Sequence, residues 1–235
     1  MAATSHRIHF QEELARLEQQ ALGALDLVVM TLDRTLEALH HRDIELAAIV
    51  IADDDRIDGR YLEVHQGILS LLALQAPVAS DLRVVAALLH VIKHAERMGD
   101  QCVNIAKLLP ITGHEPPVDE EILAKVERMG ALARSEVSQA KQAFLLRDVA
   151  LAEDLVRQDD VVDNLNRQVF RRAIEIGDEH DRREWATTML LVARALERVG
   201  DNAVDIGEQT AFVVTGLFRE FEDASHPEAN GATGA

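Results

Sequence analysis

The chain has 235 residues, 48% hydrophobic but only 3% aromatic, so any core must be built from Leu, Val, Ile and Ala, a composition that suits packed helices better than sheets. A formal charge of −17, from 41 acidic and 24 basic residues, argues against nucleic acid or anionic lipid as partners and favours cations. The single cysteine, Cys102, rules out an intramolecular disulfide and reads as a small buried helix residue in a reducing compartment. Residues 1–10 lack the charged-then-apolar pattern of a signal peptide, and the apolar run 21–30 is interrupted by Asp26 and too short to span a bilayer. A soluble cytoplasmic protein without direct membrane insertion is the expectation.

From residue 10 to 41, apolar residues recur at helical spacing (Leu14, Leu17, Ala21, Leu25, Val28, Leu32, Leu36, Leu39), which predicts an amphipathic helix roughly 45 Å long at 1.5 Å per residue. Asp43 suits the N-cap of a second helix running to Leu74, where Gln75-Ala76-Pro77 stops it because the residue before proline leaves the helical region. Ser80 or Asp81 caps a third helix that ends before Pro110. Residues 111–118, with Gly113, Pro116 and Pro117, read as a linker. A fourth helix spans about 119–146, and Asp148 caps a fifth that ends near Gly177. A sixth runs from about Asp181 to Val214, and the small, polar residues 223–235 read as a disordered tail.

Three long helices therefore occur twice. Arg42-Asp43 returns as Arg147-Asp148, and the pair Asp54/Asp58 returns as Asp159/Asp163, both 105 positions later. Glu96-Arg97-Met98-Gly99-Asp100 returns as Glu197-Arg198-Val199-Gly200-Asp201 at an offset of 101, the difference falling in the connection between the second and third helices. The expected fold is all-α: two tandem three-helix bundles, with residues 1–110 in the first, 111–118 linking, and 119–222 in the second.

Residues four apart share a helical face, so each half carries two acidic pairs: Asp54/Asp58 with Glu96/Asp100, and Asp159/Asp163 with Glu197/Asp201. In antiparallel neighbouring helices the pairs come level, which would gather four carboxylates in each half. Such a cluster needs counter-charge, and all-oxygen ligands suit Mg, Mn or Fe. Gly99 and Gly200, each between two acids, leave room for a metal or for close helix approach, and Asn104 and Asp205 extend the stripe as outer ligands. The alternative is a solvated acidic face neutralised by Arg97 and Arg198. His65 reads as a packing residue because its repeat partner is Phe170, and His90 and His94 lie off the acidic face. No phosphate loop or nucleophile elbow occurs, and Cys102 lacks an adjacent base, so the chain does not read as an enzyme.

These residues resemble the PhoU family of phosphate-transport accessory and phosphate-signalling proteins. The resemblance covers about residues 10–222. It rests on Gln75-Ala76-Pro77-Val78-Ala79-Ser80-Asp81-Leu82-Arg83, on Glu96-Arg97-Met98-Gly99-Asp100 with Asn104-Ile105-Ala106, and on Glu197-Arg198-Val199-Gly200-Asp201 with Asp205-Ile206-Gly207. The ending Val213-Val214-Thr215-Gly216 is similar to actinobacterial members. Met98, Val199 and Gln101 depart from the family's more frequent Ile, Ile and His, which leaves the acids intact. The resemblance implies multinuclear metal clusters, with Asp54, Asp58, Glu96 and Asp100 as ligands in one half and Asp159, Asp163, Glu197 and Asp201 in the other. The metal stays open among Fe, Mn, Mg and Zn. It further implies a homodimeric negative regulator of the phosphate-starvation response. Such a protein links the ATPase subunit of a phosphate ABC transporter to a phosphate sensor histidine kinase at the inner face of the membrane. A metal-dependent helical-bundle enzyme, a metal store and a purely structural bundle are the competing readings.

Overall fold

A computed structural model describes residues 2–75, 77, 79–112, 118–176 and 180–221. Among them no strand occurs, and no helix is long and apolar enough to cross a membrane. The elements are α1 (Ala2–His41), α2 (Ile44–Ala52), α3 (Asp55–Leu74), α4 (Ser80–Leu108), a 3-10 turn (Leu109–Thr112), α5 (Glu120–Leu146), α6 (Val149–Glu175) and α7 (His180–Thr215). Most of the expected linker, residues 113–117, and the expected tail lie outside the described residues.

The duplication extends to backbone dihedrals. Arg42 and Arg147 both end a helix in the left-handed region, with φ of 55° and 57°. The aspartate that follows each one caps the next helix: Asp43 Oδ1 accepts from Leu46 N at 2.9 Å, and Asp148 Oδ1 from Leu151 N at 3.1 Å. Asp119 does the same for α5, accepting from Ile122 N at 3.1 Å while Arg172 Nη2 reaches its other oxygen at 2.8 Å.

Three expectations are corrected. The second helix is broken after Ala52, where Asp53-Asp54-Asp55 places three like charges in sequence. Arg34 of α1 holds Asp53 at 2.7 Å, and Ile57 N bonds back only three residues, to Asp54 O at 2.9 Å. The matching positions in α6 are Gln158-Asp159-Asp160. There a neutral amide replaces the first acid and bonds Gln139 Oε1 at 2.7 Å, and the helix stays continuous. Secondly, neither Ser80 nor Asp81 caps α4, because the cap position falls to Ala79 (φ 50°), which offers no side-chain acceptor. Thirdly, α1 begins at Ala2, eight residues before its apolar repeat.

α5, α6 and α7 pack mutually, α1 packs with α2, α3 and α4, and the halves meet through α1 on α5 and α4 on α7. One continuous core crosses that boundary, from Leu25, Leu32 and Ile92 to Met129, Val137 and Leu196. Each such side chain contributes about 1.5–3 kcal/mol when fully buried. Along the α1–α5 seam Asp26 meets Lys141 (2.6 Å), Asp33 meets Arg134 (2.5 Å) and His40 meets Glu127 (2.7 Å). Both partners step by seven residues in opposite directions, which makes this an antiparallel, coiled-coil-like seam. Cys102 is buried within the core, and burial pushes its thiol pKa up to about 12.

Candidate metal centre

In the second half, α6 presents Asp159 and Asp163 one turn apart, and α7 answers with Glu197 and Asp201. One oxygen each from Asp159, Asp163 and Asp201 lies within 4.8 Å of the others. Asp159, Asp163 and Glu197 are buried, whereas Asp201 keeps solvent contact at the mouth of the group. Partial desolvation, with Glu197 and then Asp163 as like-charged neighbours, still pushes the Asp201 carboxyl up to about 6. Glu197 is also raised by burial, although Arg194 donates to its carboxylate. Arg167 stands 3.7 Å from Asp163.

A fifth carboxylate enters from α5. Glu136 is 0% exposed, and neither of its oxygens has a hydrogen-bond partner. Burial, followed by the charges of Asp201 and Asp163, raises its pKa to about 8. Sequence pairing missed this residue because the position 105 earlier holds Thr31. The signal was a carboxylate within the apolar stripe Val126, Met129, Ala133, Val137, Ala140. Gly200 makes the approach possible: a Cβ there would stand 2.5 Å from Asp159 Oδ1 and 2.7 Å from Glu136 Oε2. Buried carboxylates facing one another call for a positive species, and an all-oxygen donor set fits a hard cation.

The first half differs in three ways. Asp54, Asp58, Glu96 and Asp100 remain electrostatic neighbours: burial raises Asp54, with Asp58 and then Asp100 adding to it, and burial raises Asp100, with Glu96 and then Asp58 adding to it. Among the described residues, however, no three of them approach as closely as the second-half group. The α2–α3 break leaves Asp54 just ahead of α3, whereas Asp159 lies inside the continuous α6. Gly99 faces hydrocarbon instead of oxygen, with Ile57 Cδ1 at 2.9 Å from a would-be Cβ.

Asp205, expected as an outer ligand, lies 3.4 Å from His94 Nδ1 across the α4–α7 boundary, where His94 also meets Asn202 Oδ1 at 2.8 Å. His65 packs against the Tyr61 ring at 5.6 Å.

A family model described as the PhoU domain matches residues 23–109 and again 126–210. A phosphate-specific transport system accessory protein PhoU homolog of Clostridium acetobutylicum is 29% identical over 216 residues, covering 91% of this chain and 98% of that protein. The PhoU homolog 1 of Mycobacterium bovis is 32% identical over 222 residues, covering 93% and 99%. The crystal structure of the phosphate transport system regulatory protein PhoU from Streptococcus pneumoniae superposes with a TM-score of 0.82. It is 29% identical, covering 89% of this chain and 99% of that one. PhoU from Pseudomonas aeruginosa gives the same TM-score at 26% identity, covering 88% and 100%.

Proposed function

The chain belongs to the PhoU family, and on that premise we propose that it is an accessory protein of phosphate transport that acts as a negative regulator of the phosphate-starvation response. In this reading it is an adaptor between the ATPase subunit of a phosphate ABC transporter and a sensor histidine kinase, working as a cytoplasmic homodimer recruited to the membrane by those partners. The observation that carries the reading is the PhoU domain matched in both halves, across nearly all of each relative's length. The relatives' names, accessory and regulatory rather than enzymatic, support a non-catalytic role. Deleting the gene tests it: starvation genes should be expressed in high phosphate and silenced again by the restored gene. Unchanged expression in a strain lacking every paralogue would overturn the role.

The carboxylates are assigned to divalent or trivalent cations, with Fe, Mn, Mg and Zn as candidates. Asp159, Asp163, Glu197 and Asp201 would hold them in the second half, and Asp54, Asp58, Glu96 and Asp100 in the first. The buried, unpartnered Glu136 favours the second half as the tighter site. A bound cation would neutralise the acids and fix the α6–α7 register; the chain's own groups then form the docking surface. The same observation supports a second reading, a metal store or metal-dependent enzyme. Metal analysis of chelator-free protein, repeated on D100A and D201A, separates these from a bundle without metal, and turnover of metal-loaded protein separates store from enzyme.

A further inference from the structure

Beyond the candidate metal centre, toward the turn of the α6–α7 hairpin, a trough of about 500 Å³ opens between the two helices. Its floor is apolar. Phe170 is 52% exposed, Leu191 is 52% exposed, and Leu190 lies partly buried between them and the core. Its rim is cationic, formed by Arg167 and Arg171 of α6 and Arg194 of α7. Arg194 is bonded to Glu197 and Arg167 stands 3.7 Å from Asp163, so Arg171 supplies the outermost positive charge beside the apolar floor, on a chain whose formal total is −17.

The repeat shows that this surface is built into one half only. The positions matching Asn166, Arg167, Phe170 and Arg171 are Tyr61, Leu62, His65 and Gln66, and Lys93 matches Arg194. There Tyr61 covers its own surface, with His65 against its ring and Lys93 Nζ 5.2 Å above it. The arginine rim and the paired Phe and Leu occur only in the second copy.

We propose that the α6–α7 trough is a docking site for an acidic amphipathic helix of a partner protein. Ile174, 63% exposed, continues the Phe170 stripe one turn further, so the surface runs roughly 12 Å along α6, about two turns of a bound helix. An open trough between antiparallel helices receives apolar side chains at i, i+3 and i+4 from a third helix. Glu or Asp flanking those side chains meets the Arg171 fork, which favours planar, two-point contact with a carboxylate, while Arg167 and Arg194 balance Asp163 and Glu197 behind it. A basic helix is repelled at the same rim. The occupant is thus set by charge as well as by shape.

The test uses the full chain, free of metal, and a fluorescein-labelled designed helix with Leu at i, i+3, i+4 and i+7 and Glu elsewhere. Its twin carries Lys in place of Glu. Anisotropy should show binding of the acidic helix alone, weakened at least tenfold by R171E and by F170A, and unchanged by Gln66→Glu in the first half. Both altered side chains are exposed, and circular dichroism confirms retained helicity. Absence of binding, equal binding of the Lys twin, or indifference to R171E and F170A overturns the proposal. Two further results also overturn it if the peptide does not bind. In one, wild-type protein floats with phosphatidylglycerol vesicles in an Arg171-dependent way, which assigns the face to lipid. In the other, R171E dissociates a dimer in sedimentation equilibrium, which assigns it to a second copy. Because no cation is present, failure here leaves the metal assignment untouched.

Discussion

Glu136 on α5 and Gly200 on α7 are matched across the second half: a side chain at 200 would stand 2.7 Å from Glu136 Oε2, in space that the carboxylate now occupies. Gly200→Ala should therefore displace Glu136 and Asp159 together. The expected costs are about 1–3 kcal/mol of stability and most of the cation affinity of that half. Gly99→Ala is the internal control. It meets hydrocarbon of Ile57 alone, closest at the terminal Cδ1, and the gain of roughly 1 kcal/mol in helix propensity offsets part of the crowding. Urea unfolding and calorimetric metal titration of both variants check the contrast.

The acids of the second half give metal-free protein a defined pH dependence. Glu136 rises from an ordinary 4.5 to about 8 on folding, and Asp201 from 3.8 to about 6, so the folded state holds more protons than the unfolded one between those values. Their contribution is fully present below about pH 4 and is lost as pH rises through 6 and then 8. Glu136 faces Asp159 and Asp163 on α6 and Gly200 and Asp201 on α7, with Arg194 engaged at Glu197. Glu136→Gln should flatten the slope and raise metal-free stability at pH 8 relative to pH 5, while weakening cation binding. Denaturation in chelator at pH 5 and pH 8 reads both effects.

The two halves should not bind cations equally. Asp201→Asn should weaken the tighter binding event by tenfold or more, because Asp201 lies with Asp159 and Asp163 opposite the buried Glu136. Asp100→Asn should change only the weaker event, since its half gathers no three carboxylates as closely and holds Thr31 where the second half has the buried Glu136. Equal effects in calorimetry would show that the asymmetry does not govern binding.

Asp119 performs two tasks at one point, capping α5 and receiving Arg172 from α6. The Arg172 hydrogen bond is the main reason its carboxyl is held below the usual carboxylate range. Asp119→Ala should cost about 1 kcal/mol for the lost cap and lose in addition the bond to Arg172, which keeps Glu175 and Glu121 as partners. Asp119→Asn keeps the cap acceptor and should retain part of that loss. Thermal melts of the two variants separate cap from ion pair.

The first helix was legible in the sequence because its apolar residues repeat at helical spacing from Leu14 to Leu39, and the later ones because proline, glycine and the capping Asp43 and Asp148 mark their ends. The acidic pairs were legible because they occur twice. That same reliance on repetition hid Glu136, which has no acidic counterpart at Thr31. It also hid the break at Asp53, which Arg34 of another helix holds and which no glycine or proline marks. The cap at Ala79 was unreadable for a related reason: its conformation is imposed by the connection rather than by its side chain.

The seam of Asp26–Lys141, Asp33–Arg134 and His40–Glu127, laid over a core shared by both halves, should make the duplicated chain unfold as a single thermodynamic unit. If Asp201 holds a cation, metal that tightens α6 against α7 should delay hydrogen exchange in α1 and α4 as well. Denaturation should proceed in one transition that shifts as a whole with cation concentration, by RT ln(1 + [L]/Kd). In such an arrangement the filling of one half would be read through the rigidity of the other.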